Sequence, residues 1–259
     1  MQLVDTHCHL DQLDLTPYEG DLAKALLRAN QFDVQHFLCV CITLEHFNDV
    51  LTIASQYPNV NASVGLHPNE KVANEPDEDE LAKLAQNKKV VAIGETGLDY
   101  YRSEGDLEWQ RERFRQHIRA AKRAKKPLII HSRQAKKDTL QILREEDAAL
   151  VGGIMHCFTE DWEMAVAAME LNFYISFSGI VTFSNATEIQ AVAKQIPLDR
   201  MLIETDSPYL APNPYRGKPN EPAYVRFVAE HIAKLRGLDV QVIAEHTTNN
   251  YFKLISPQR

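Results

Sequence analysis

No apolar run in this 259-residue chain approaches the roughly 18 residues that a membrane span requires. No basic segment followed by an apolar one stands ahead of Leu3-Val-Asp-Thr either, so a soluble, cytoplasmic protein is expected, with neither a membrane association nor an obligate protein partner indicated. Positive charge is also short: 28 Lys and Arg against 36 Asp and Glu leave a net charge of −8. That balance gives no general attraction to a polyanion, and any phosphate must be held by local cations or a metal. There are only four cysteines and no Cys-x-x-Cys turn of the structural zinc type. Cys8, Cys39, Cys41 and Cys157 lie in or beside apolar runs and read as small reduced packing residues. No internal repeat or low-complexity tract stands out. The acidic stretch from Asn74 to Glu80 reads as a solvated helix start, where carboxylates meet the positive end of the helix dipole.

What is present is alternation. Apolar runs at about 2–7, 36–42, 60–66, 90–95, 127–131, 151–156, 173–178 and 201–206 are mostly continuous, as strands covered on both faces require. Between them, helical stretches near 20–31, 44–56, 78–88, 106–125, 135–147, 161–171, 185–195, 221–236 and 239–254 mix apolar residues at helical spacing with charge. Trp109, Phe114, Ile118 and Ala121 illustrate that spacing. Asp161 and either Ser184 or Asn185 stand where N-caps belong. Eight alternations in a chain close to the 250 or so residues typical of the fold point to an α/β protein, a (β/α)8 TIM barrel, as one domain over 1–259. A doubly wound open sheet is the runner-up, but it would concentrate functional residues near one switch point.

The apolar runs share an unusual ending. His7 and His9, Glu95, His131, His156 and Asp206 stand at the C-terminal ends of the first, fourth, fifth, sixth and eighth runs. A parallel barrel gathers such positions on one face, where divalent cations take imidazole and carboxylate ligands. In the extended His7-Cys8-His9 both imidazoles point one way and Cys8 the other. Asp5 lies deeper with the same parity and suits a supporting hydrogen bond better than ligation. Glu204 lies one layer below Asp206, where a buried partner is expected, and Asp99 suits a supporting contact or a loop cap. The segment 207–222, stiffened by five prolines, follows the eighth strand and must lie over the same face.

At this point a resemblance becomes specific. Asp5-Thr-His-Cys-His-Leu, Gly65-Leu-His-Pro, Gly94-Glu-Thr-Gly-Leu-Asp-Tyr, His131-Ser-Arg, His156-Cys-Phe and Glu204-Thr-Asp-Ser-Pro-Tyr together resemble the TatD family of metal-dependent hydrolases and deoxyribonucleases. The resemblance implies an amidohydrolase-type TIM barrel and, from members that process DNA, removal of nucleotides from 3′ ends. It also implies two divalent metal ions, one held by His7, His9 and Asp206, the other by His131 and His156, with Glu95 bridging. Related barrels often bridge with a carboxylated lysine, and here no lysine stands at that position. Zn, Mn, Fe and Mg all remain open as the metal.

The reaction expected is hydrolysis of a phosphodiester in DNA, with RNA left open, in which Asp206 takes the proton of the attacking water. His67, Arg133, Arg216 and Lys218 are expected to contact substrate, and Tyr209 or Tyr215 either to stack on a terminal base or to pack where the loop closes the barrel end. Two other readings stand beside this one: cleavage of a C–N, ester or phosphotriester bond by the same centre, and a metal-binding scaffold without turnover.

Overall fold

The computed structural model describes residues 1–256, so the expected domain 1–259 runs three residues beyond the described ones. Eight strands form one parallel sheet in sequential order: β1 (Leu3–Cys8), β2 (Val34–Cys39), β3 (Val60–Val64), β4 (Val90–Asp99), β5 (Leu128–Arg133), β6 (Gly153–Met155), β7 (Phe173–Phe177) and β8 (Met201–Ile203). The helices are α1 (Leu22–Gln31), α2 (Phe47–Gln56), α3 (Glu78–Leu84), α4 (Glu108–Ala124), α5 (Lys136–Glu145), α6 (Trp162–Glu170), α7 (Thr187–Gln195), α8 (Val225–Arg236) and α9 (Val240–Ile255). Sequential order is that of a (β/α)8 barrel and excludes the doubly wound sheet, whose strand order reverses at a switch point.

Closure occurs just past the regular ends of β1 and β8. Cys8 pairs with Ser207, Asp206 N donates to His7 O at 2.9 Å, and His9 N donates to Ser207 O at 2.8 Å. The hydrogen bonds that shut the barrel therefore also set His7, His9 and Asp206 side by side.

Local sequence explains most boundaries. In α4 the buried Phe114, Ile118 and Ala121 recur every three or four residues, which turns one stripe to the sheet. Asp161 accepts from Met164 N and starts α6 as an N-cap, and Asp77 does the same for α3 through Glu80 N, which makes the acidic stretch a helix start. The expected cap of α7 is not made: the helix begins at Thr187, preceded by Ala186 with no side-chain cap. Strand four runs to Asp99, beyond the expected residue 95. A register shift between Ile93 and Thr96 absorbs Gly94 and Glu95 as a bulge, after which Gly97 pairs with His131 and Asp99 with Arg133. Regular β2 starts earlier and stops at Cys39, although Val40, Cys41 and Ile42 still bond neighbouring strand ends through their backbones.

The core has two parts. The larger packs the helices on the outside of the barrel. The smaller fills the barrel's interior with Val4, Leu38, Ala92, Ile129, Ile154 and Leu202, and α9 lies across the N-terminal end, adding Tyr251 and Leu254. Tyr251 is fully buried and its hydroxyl accepts from Asn61 Nδ2 at 2.8 Å, while Asn250 Nδ2 holds Leu198 O and Met201 O at the start of β8. With that end plugged, the C-terminal end of the barrel is the one left open to a ligand among the described residues. No helix is long and apolar enough to cross a membrane, among the described residues.

Candidate metal centre

All six expected ligands converge at the C-terminal end. Glu95 is the hub: its Oε2 lies 3.3 Å from His7 Nε2, and its Oε1 lies 2.9 Å from His156 Nε2 and 3.1 Å from His131 Nδ1. Asp206 Oδ1 lies 3.4 Å from His9 Nε2 and 3.7 Å from His7 Nε2. The bulge at Gly94-Glu95 is what aims the hub inward. Backbones approach so closely there that a Cβ on Gly65 would sit 2.4 Å from the Gly94 carbonyl carbon, and one on Gly94 would sit 2.6 Å from Ile129 O. Asp206 takes a left-handed φ of 57°, which Asp tolerates better than most residues and which the bond to His7 O holds in place.

Ring tautomers sort the histidines. His9 Nδ1 faces Val40 O at 3.0 Å, His131 Nε2 faces Asp99 Oδ2 at 3.1 Å, and His156 Nδ1 faces Glu204 Oε1 at 3.1 Å. Each of these nitrogens meets an acceptor on the side away from the cluster, so a cation in the cluster would meet the other nitrogen's lone pair; among the side chains alone, burial lowers the three rings but the carboxylates of Asp206, Glu95, Asp99 and Glu204 prevail and raise them. His67 is different. Its Nδ1 accepts from Asn69 N at 3.1 Å, so its proton sits on Nε2, 3.5 Å from Glu95 Oε1. Distance alone admits His67, Glu95 and His131 as a cation-binding group, beside His7, His9 and Glu95 and beside His7, His156 and Asp206. The tautomer argues against His67, because a ring nitrogen that bears a proton donates and does not ligate.

Electrostatics fit a cation. His7 is fully buried and, among the described residues, neither ring nitrogen has a hydrogen-bond partner, an arrangement that costs free energy unless something else binds there. Burial, with the neighbouring charge of His156, lowers its pKa, so the ring is neutral and its lone pair available. Burial pushes Glu95 up, but the charge of His156 and the bonds from His131 and His156 hold it well below the usual carboxylate range. Asp206 is likewise lowered: burial opposes, and the His9 bond with the charge of His156 prevails. Two ionised carboxylates among four imidazoles form a mixed N and O donor set suited to divalent cations.

A second layer holds these groups. Asp5 accepts from Thr205 N at 2.9 Å, and burial raises its carboxyl to about 8 despite that bond. Asp99 takes both roles expected of it: Oδ2 meets His131 and Asn69 Nδ2, while Oδ1 caps the Tyr101 and Arg102 amides. Glu204 also accepts from Cys157 N at 2.8 Å. Sequence reasoning missed a clamp on α4. His117 Nε2 accepts from Leu66 N at 3.0 Å, and Arg113, bound through both its Nε and Nη2 to Glu75, donates to His67 O at 2.7 Å. The available signal was an arginine and a histidine four residues apart on the face that also carries Phe114 and Ile118.

The expected substrate contacts divide. Arg133 lies over the Tyr101 ring at 4.1 Å and enters no ion pair among the described residues. Arg216 lies over Phe183 at 4.1 Å and Lys218 5.8 Å from the Tyr215 ring; both are exposed, and neither bonds any of the six ligands among the described residues. Tyr215 stacks on Tyr224 at 4.1 Å, which removes it as a free platform. Tyr209 is half exposed, 6.1 Å from the His9 ring, with its hydroxyl bonded to Gln12 Oε1.

With this geometry in view, the likenesses to other proteins are informative. The family model described as TatD related DNase matches residues 4–256. The chain is 48% identical over 255 residues to YcfH of Escherichia coli K12, named an uncharacterized metal-dependent hydrolase, covering 98% of this chain and 96% of the relative. YabD of Bacillus subtilis, which bears the same description, is 43% identical over 253 residues, 97% of this chain and 98% of the relative. The crystal structure of the TatD homologue YjjV from Escherichia coli superposes with a TM-score of 0.86 at 30% identity, covering 97% of each chain.

Proposed function

This chain belongs to the TatD-related family of metal-dependent hydrolases, and from that premise we propose that it hydrolyses phosphodiester bonds of DNA, removing nucleotides from a 3′ end with two divalent cations. One observation carries the two-cation reading. The two oxygens of Glu95 address different histidines, Oε2 facing His7, beside His9 and Asp206, and Oε1 facing His131 and His156. His7, His9 and Asp206 would hold one cation and His131 and His156 another, with Glu95 shared between them. When bound, the cations would stabilise charge on phosphoryl oxygens and lower the pKa of a water towards about 7.

The chain's own groups do the rest. Asp206, ionised and part exposed, accepts the proton of the attacking water. His67 has its pKa lowered to about 3 by burial, so the neutral ring offers an Nε2 hydrogen to a non-bridging oxygen. Arg133, braced on Tyr101, grips phosphate, and Arg216 and Lys218 on the loop after β8 meet phosphates further along. We place this activity in the cytoplasm, where four unpaired cysteines stay reduced.

Parallel assays of end-labelled single-stranded DNA, lactones, amides and phosphotriesters test the reading. Release of mononucleotides from DNA well above turnover of the other substrates is expected. Efficient turnover of an amide or lactone with inert DNA would replace it.

A further inference from the structure

The rim of the metal centre is electrically divided. Past β4 and β5, Arg102 and Arg133 enter no ion pair among the described residues. Past β1 and β2 lies a cavity of about 540 Å³, walled by Ile42, Ile53 and the carboxylates of Asp11 and Glu70, with the mutually paired His46 and Asp49 at its outer edge. Asp11 and Glu70 have no cationic partner among the described residues. The cavity shares its wall with the centre: Asp11 and Gln12 follow the ligand His9, His67 N donates to Ile42 O at 2.8 Å, and Glu70 N donates to His67 O at 3.1 Å. Tyr209 stands between the two sides. Burial and the charges of Asp206 and Asp11 push its phenol up, while Arg102 acts in the opposite sense.

We infer that this cavity receives the terminal nucleoside of the substrate strand and that Asp11 and Glu70 select an end without a phosphate, while the phosphates nearest the scissile one run over Arg102 and Arg133. The inference rests on the phosphodiester reading and deepens it. A cavity of this volume lies within the range of small-molecule sites. Its Ile42 and Ile53 offer a base an apolar face, and Gln12, Thr43 and Thr52 offer it polar partners. Carboxylates accept hydrogen bonds from a sugar hydroxyl or a base amino group, whereas a terminal phosphate would bring like charge against two unpaired carboxylates at close range. With the scissile phosphate at the metal centre between them, the acidic side takes what carries no charge and the basic side what does.

The test compares oligonucleotides labelled at the 5′ end that differ only in carrying a 3′-hydroxyl or a 3′-phosphate. On the metal-loaded protein the phosphate end should be cut with kcat/KM lower by about ten- to a hundredfold. The double variant Asp11→Asn, Glu70→Gln, shown to be folded by circular dichroism and loaded with metal, should bring the ratio towards one. Arg102→Ala should raise KM for both ends and leave the ratio as it was. Equal cutting of the two ends by the parent overturns the inference while leaving the phosphodiester reading intact, and so does an unchanged ratio in the double variant. If neither oligonucleotide is cut, the reading and the inference fall together.

Discussion

The two ends of the barrel are built from opposite chemistry. At the N-terminal end α9 lays Tyr251 and Leu254 against Val4, Leu38 and Ile129, a dry plug whose polar atoms are few and bonded. At the C-terminal end four histidines and two carboxylates crowd around one another, and the buried nitrogens of His7 find no hydrogen-bond partner among the described residues. Burial of apolar surface stabilises the first, at roughly 25 cal/mol per Å². The second is a cost to the fold, tolerated because the plugged end and the helical shell stabilise the barrel independently of it. Stability and chemistry are thus assigned to different ends of the same strands, and substitutions should separate them.

The largest effect is expected from Glu95→Ala. Removing the group that faces both histidine sets should abolish hydrolysis and lose more metal than Asp206→Ala does, as elemental analysis of the purified variants would show. Equal metal content in the two variants would count against a bridge. Next comes Asp206→Asn, which keeps one oxygen ligand but cannot take a proton. Measured at saturating metal, kcat should fall by about 10²- to 10⁴-fold; turnover within a few-fold of the parent would assign the proton elsewhere.

At the opposite end, Tyr251→Ala should cost about 3–5 kcal/mol of stability through the cavity it leaves, read as a lowered denaturation midpoint. Below that transition the variant should still bind metal, and loss of metal from the folded variant would show that the two ends are coupled. The smallest effect belongs to Glu204→Gln, which keeps the shape around His156 and removes the charge behind it. Metal affinity should weaken by about 10- to 100-fold with the melting temperature little changed.

How much of this could be read from sequence also differs between the ends. His7, His9, Glu95, His131, His156 and Asp206 were legible because each ends an apolar run, and a strand's end is fixed locally. The supporting roles of Asp5 and Glu204 followed from strand parity, and that of Asp99 from its place in Gly-Leu-Asp-Tyr. The plug was not legible: α9 reads as one more amphipathic stretch, and only tertiary packing turns Tyr251 into the barrel's floor. Nor was the bulge that aims Glu95, which depends on pairing with β5 more than 30 residues away. The α4 clamp was missed because a buried Arg113 looks like surface charge until Glu75 and the His67 carbonyl are brought to it. Of the two tyrosines the loop offered, Tyr215 takes the packed role, since Tyr224 claims its face.

The central claim, that the crowded end is a hydrolytic metal centre, is tested most directly by titrating rigorously metal-free protein with a divalent cation while following mononucleotide release from labelled single-stranded DNA. Activity should be absent at the start, rise with bound metal and level off at no more than two equivalents. Full activity in the metal-free protein would contradict the account.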